Sequence, residues 1–234
     1  MLMSARSSRR RTARRQLGLS LVEMMVGVAI GLFVVAAAAM LVATQLADNR
    51  RLLLETQVQQ DLRATSDIIA RELRRAGYWG TSRQGVWNGS APVANPYRGV
   101  NLVSASEINL SYSSARTEAA ENNVVDGSEQ FGYRLNGSTF AIDSLLGAGG
   151  WQALTDAATL KVTAFTITLE TVTTTPVACP AECPGGGEAC WPTLSVREIQ
   201  VAISGVAVSD PAVQRSVRNR VRLRNDLLTG ACPA

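Results

Sequence analysis

Histidine is missing from all 234 residues. Its absence removes the commonest general base and the commonest metal ligand, so Ser-His-Asp and Cys-His catalytic arrangements are excluded. An enzyme is not expected, and neither is a cofactor. Acidic residues are missing from the first eighteen positions, "MLMSARSSRRRTARRQLG", which hold six Arg. The formal net charge of +4 therefore sits in this leader, and the remainder is slightly acidic. A nucleic-acid footprint is not indicated by the overall basicity. Charged side chains are also missing from Met24 to Ala43, twenty residues long, and no Pro or Gly interrupts Leu32 to Ala76. No internal repeat is present.

Twenty apolar residues suffice to cross a bilayer as a helix. An Arg-rich start before an apolar run resembles a secretory signal, but this run is longer than a usual signal core and no A-x-A cleavage site follows it. It is therefore expected to remain as an anchor, with the Arg cluster in the cytoplasm and everything after about residue 45 outside. One carboxylate, Glu23, stands at the head of the span. Carried to the bilayer centre it would cost about 2.5 to 3.5 kcal/mol on insertion scales, so a carboxylate there calls for a partner or a function.

After Ala43 the pattern turns amphipathic. Leu46, Leu53, Val58, Leu62, Ile69 and Leu73 recur at mostly helical spacings, with charged residues and Gln between them. Gly77 supplies a stop, preceded by Arg74 and Arg75, which suit the negative end of the helix dipole. A continuous helix over residues 19–76 would run about 87 Å at 1.5 Å per residue. Residues 77–234 read as one β-rich domain. In "FGYRLNGSTFAI", Asn136-Gly137 fits a two-residue type I′ turn that would oppose Tyr133 to Phe140 and Phe131 to Ile142, with these aromatics in the core. Phe165, Ile167 and Leu169, and again Ile199, Val201 and Ile203, alternate with mostly polar residues. Each set is a strand with one apolar face, and the second half of the long helix is the expected cover.

Four cysteines, Cys179, Cys183, Cys190 and Cys232, include the run "CPAECPGGGEAC". A Cys₄ zinc site is conceivable. An even set outside the cytoplasmic membrane favours disulfides instead, and no metal is expected. Of the three connectivities, Cys179 with Cys190 across the loop base, leaving Cys183 for Cys232, is the one favoured by the even flanking of the loop by two strands. The apolar faces match only when paired residue numbers sum to an even value, and 179 with 190 does not. The ladder is therefore expected to break first, at Pro176, Pro180 and Pro192.

"VRNRVRLR" alternates Val217, Val221 and Leu223 with Arg218, Arg220, Arg222 and Arg224. A polyanion contact is one reading of that face. The plainer one is a solvated side paired to acids such as Glu170 and Glu198, and it is favoured because no aromatics interleave the Arg. "DGSE", Asp126 to Glu129, has too few ligands for a calcium loop.

"GLSLVEMMVGVAIG" resembles the prepilin cleavage and methylation motif, in which a Gly closes a short basic leader and a Glu lies fifth in the mature chain. The resemblance places the closing Gly at Gly18, the new N-terminus at Leu19 and the fifth mature residue at Glu23. Leu19 stands where Phe is usual. The apolar helix also lacks the Pro that many major pilins carry, so no kink arises from that source. "DIIARELRRAGYWG" (67–80), "GGWQALTDAATLKVTAFTI" (149–167) and "VRNRVRLRND" (217–226) resemble PilW-type minor pilins, relatives of the J-type pseudopilin of type II secretion.

These resemblances imply an α+β, pilin-like fold: a leader of residues 1–18, a long helix of residues 19–76 with its span at about 24–43, and a periplasmic domain of residues 77–234. They imply cleavage after Gly18 by prepilin peptidase, N-methylation of Leu19, and pairing of Glu23 with a neighbour's terminal amine. The implied partners are other minor pilins, the major pilin, the inner-membrane assembly platform and the inner membrane itself. The implied role is a structural subunit that primes a type IV pilus, stays near its tip and supports twitching motility. A type II secretion pseudopilin and a tip adhesin or DNA-uptake pilin are the alternatives.

Overall fold

The computed structural model describes Gly18 and residues 20–85, 93–115 and 120–233. One helix, α1, runs Leu21–Arg75 without interruption. Its end is built from tertiary partners. Gly77 takes the left-handed conformation, φ 77°, which a side chain would strain. The Gly77 N–H donates to the Ser111 carbonyl at 2.9 Å, while Asn225 Nδ2 donates to the Ala76 carbonyl and Asn95 Nδ2 to that of Gly77. The orphan carbonyls of the last turn thus find donors from distant segments.

The chain divides into two compact units, Met1–Arg50 and Arg51–Ala234. In the first, the described helical residues are exposed throughout, and α1 contains a stretch long and apolar enough to cross a membrane. The second begins inside the helix, earlier than the expected domain start at residue 77, because the later half of α1 is part of its core. Val58, Leu62, Ile69, Ala70 and Leu73 are buried along one stripe. Leu46 and Leu53, expected on that stripe, are exposed. At 100° per residue, Leu53 lies about 140° and Leu46 about 120° around the axis from Val58.

Five strands form an antiparallel meander in chain order: β1 Val100–Ser104, β2 Glu107–Ser111, β3 Gln130–Asn136, β4 Ala141–Leu146 and β5 Trp151–Ala153. A second antiparallel sheet joins β6 Leu160–Pro176, β7 Thr193–Ala207 and β8 Gln214–Arg222, and β9 Leu227–Thr229 pairs with the start of β7. Phe165 faces Ile203, Ile167 faces Val201 and Leu169 faces Ile199, so the apolar faces coincide as the alternation requires. β8 continues the face, with Val221 opposite Ile199 and Val217 opposite Ile203. The turns of the meander seal the outer edge of β6. Ile167 N–H donates to the Ala105 carbonyl and Val162 N–H to that of Phe140, both at 2.8 Å. The α1 stripe and the inner faces of both sheets share one core.

The β3–β4 hairpin forms with another register. Leu135 pairs with Ile142 and Phe131 with Leu146, so a four-residue loop, 137–140, replaces the expected two-residue turn. Asn136 is the cause: its carbonyl accepts from Phe140 N–H at 2.8 Å and its Oδ1 from the N–H and hydroxyl of Ser138. Phe140 adopts φ 55° and stands 41 % exposed beneath Lys161 Nζ, outside the core. Tyr133 is buried, as expected.

Candidate assembly site

Glu23 lies in the first turn of α1, where Met24 N–H already donates to the Ser20 carbonyl. A carboxylate is favourable at that end of a helix dipole. Behind it Val22, Met24, Met25 and the residues that follow are exposed on every side of the helix, an apolar surface that one chain leaves uncovered. Gly18 is exposed, and a Cβ built on it meets nothing within 4 Å. Among the described residues, packing therefore places no demand for glycine there. Leu19 and the Arg-rich residues 1–17 lie outside the described residues.

The cysteines form the bonds Cys179–Cys232 and Cys183–Cys190, with Cα separations of 5.5 and 5.7 Å, which corrects the expected pairing. Two features decide it. Gly185, Gly186 and Gly187 are all left-handed and, with Cys183 N–H donating to the Gly187 carbonyl, turn the chain back sharply enough to join 183 to 190. β9 then lies along Thr193–Ser195, and Gly230, at φ 92°, turns against Pro192, which carries the tail to the loop base at Cys179. The ladder does end before the cysteines, as expected, with Pro176 at the close of β6 and Pro192 just ahead of β7. A bulge between Thr171 and Thr173 changes its parity, and pairing runs on to Pro176 with Thr193. Among the described residues no group of His, Cys, Asp and Glu could hold a metal ion.

Arg218, Arg220 and Arg222 share the exposed face of β8, with Arg224 just beyond it. Arg220 pairs with Glu198 at 3.8 Å and Arg222 with Asp226 at 3.2 Å. Glu170 faces Glu198 across β6 and β7 and, among the described residues, pairs with no Arg. Half the stripe is therefore neutralised, which weakens the case for a polyanion surface.

Sequence patterns gave no warning of two polar clusters. At the helix exit, Tyr97 is fully buried and its hydroxyl lies 2.8 Å from both Glu121 Oε1 and Glu129 Oε2. Burial pushes the Glu121 carboxyl up, but hydrogen bonds from Ser113, Tyr97 and the N–H groups of Asn123 and Gly80 outweigh it and hold that carboxyl below its ordinary value. Trp79 Nε1 and the Thr81 hydroxyl both donate to Asn123 Oδ1. This network ties the segment after α1 to the segment after β2. Farther along α1, Arg215 of β8 and Arg51 hold Glu55, and Asn219 Nδ2 donates to Ser66 Oγ at 3.3 Å. Tyr112 donates to Glu72 at 2.7 Å, stacks on Phe131 and lies under Arg75.

A long helix whose first half is apolar and exposed, followed by a disulfide-bonded two-sheet domain cored on its second half, defines a pilin-like subunit. Residues 13–39 match the prokaryotic N-terminal methylation motif. Residues 51–223 match the family described as prepilin peptidase-dependent protein B, and the chain belongs to that family. It is a type IV pilin-like protein of a kind processed by prepilin peptidase, and its long apolar helix fits an inner-membrane anchor. No curated protein and no solved structure matches it.

Proposed function

We propose that the chain is a PilW-type minor pilin, a structural subunit that primes assembly of a type IV pilus at the inner membrane and stays near the tip. The observation that carries the reading is the fully exposed apolar half of α1, headed by a lone carboxylate. Such a surface is covered by lipid before assembly and by neighbouring helices after it. Glu23 would pair with the terminal amine of an adjacent subunit as the helix leaves the bilayer, because an ion pair in a low-dielectric core gains far more Coulomb energy than one in water. Prepilin peptidase would cut after Gly18, and Leu19 would become the methylated N-terminus. Two disulfides support a domain on the periplasmic side, where thiols oxidise. Other minor pilins, the major pilin and the assembly platform are then the partners.

Mass spectrometry of the membrane-extracted protein should find residues 1–18 gone and Leu19 methylated; an intact leader would remove the basis of the reading. Deletion should abolish surface pili and twitching. Intact pili with secreted enzymes retained in the periplasm would assign the chain to a type II secretion pseudopilus instead.

A further inference from the structure

A groove of about 870 Å³ opens where the chain leaves α1, between the Gly77–Trp79 turn, residues 93–95 and β9. Its walls are apolar yet open to solvent: Tyr78 is 47 % exposed, Val93 50 % and Leu228 42 %. Its charge is one-sided. Arg98 and Arg224 line it without a carboxylate partner among the described residues, while Asp226, the acid on its wall, is already held by Arg222 at 3.2 Å. The buried guanidinium of Arg197 adds to the excess, since it bonds the carbonyls of Arg98 and Asn225, two groove residues, and among the described residues forms no ion pair, Asp226 acting on it only through its charge. Finally, β9 pairs with β7 along one edge only. Among the described residues no backbone group pairs with its other edge, and Leu227, Leu228 and Thr229 line the groove.

We propose that this groove receives an extended segment of a partner protein, apolar at alternate positions and carrying carboxylates between them. An open strand edge supplies main-chain hydrogen bonds to an added strand, and flanking pockets select alternate side chains. Tyr78 and Leu228 take the apolar ones, and the forked guanidinium groups of Arg98 and Arg224 take the carboxylates. A helix would leave the strand edge unused, and two free Arg are too few to track a nucleic-acid backbone. The inference rests on the subunit reading only for where the partner is met, so binding can be measured apart from assembly.

The test uses the full chain in detergent micelles and a fluorescently labelled, capped hexapeptide of alternating Val and Glu, with a Val and Lys counterpart. Fluorescence anisotropy should show saturable binding of the acidic peptide alone, weakened by added salt. Arg98→Ala or Arg224→Ala should weaken it about tenfold, the scale of losing one charge-assisted contact. Lys161→Ala, which removes a cation outside the groove, should leave it unchanged. Equal binding of both peptides, no saturable binding into the millimolar range, or unaltered binding by the Arg98→Ala, Arg224→Ala double variant would overturn the proposal. So would a photo-crosslinker at position 228 that joins two copies of this chain and is not blocked by the acidic peptide.

Discussion

Glu23, proposed to pair between subunits, and Glu121, bonded within the domain, answer to different tests. Removing the first should not harm the single chain, because nothing in the domain depends on it. Glu23→Ala should insert and lose its leader normally but fall in sheared, purified pili, since an amine entering an apolar core without its counter-charge loses roughly 3 to 5 kcal/mol. Glu23→Asp, a methylene short, should also fall; wild-type incorporation of Glu23→Ala at equal membrane levels would reject the pairing. Glu121 acts within the fold. Its carboxyl is held below the ordinary 4.5, so the stability it contributes is complete above that pH and fades as pH drops through the lower folded value. Tyr97, Tyr112 and Tyr133 run the opposite way, because burial raises each above 10.0 and their contribution fades as pH climbs past that point. Denaturant midpoints across pH should therefore show a plateau with acid and alkaline limbs, and Glu121→Gln should flatten the acid limb and also soften the alkaline one, because Glu121 helps to hold the Tyr97 hydroxyl up.

Along α1, two leucines nine residues apart separate what is core from what only looks like it. Leu62 is fully buried between the sheets, whereas Leu53 is 71 % exposed. Leu62→Ala should cost about 2 to 5 kcal/mol, the range for emptying a core site. Leu53→Ala should stay within about 0.5 kcal/mol, as at most surface positions. Urea titration of the full chain in detergent compares them, and equal losses would mean the buried stripe has been drawn on the wrong side of the helix. The helix end is the other decisive element: Asn225 and Asn95 donate to the carbonyls of Ala76 and Gly77 from two distant parts of the chain, the Gly77 N–H donates to the Ser111 carbonyl, and the groove opens there.

For the molecule as a whole, the disulfides set the scale of what holds the late segments together. Cys179–Cys232 spans 53 residues and Cys183–Cys190 only 7. In the chain-entropy account the longer closure is worth about 4 kcal/mol and the shorter about 2.5 kcal/mol. The Cys179→Ser, Cys232→Ser double variant should thus lose more stability than Cys183→Ser, Cys190→Ser, and peptide mapping without reductant should recover 179 joined to 232. Recovery of 179 joined to 190 would contradict the fold, because β9 would then have no reason to run beside β7.

Local pattern carried a good deal of this. Twenty uncharged residues, the absence of Pro and Gly from Leu32 to Ala76, and the Gly77 stop specify one long helix, since helix formation depends on neighbours three and four positions away. The period-two alternation specifies the faces of β6 and β7 for the same reason. What local pattern could not carry were partners distant in the chain. Asn136 looked like half of a tight turn until its side chain and carbonyl claimed a longer loop, and a bulge of one residue at Val172 undid a parity argument built on uninterrupted pairing. The disulfide partners, the Tyr97 cluster and the groove all depend on where β9 and the helix exit meet the sheets. Those meetings are set by which buried polar groups can be satisfied together, a condition on the whole chain at once that no stretch of it expresses alone.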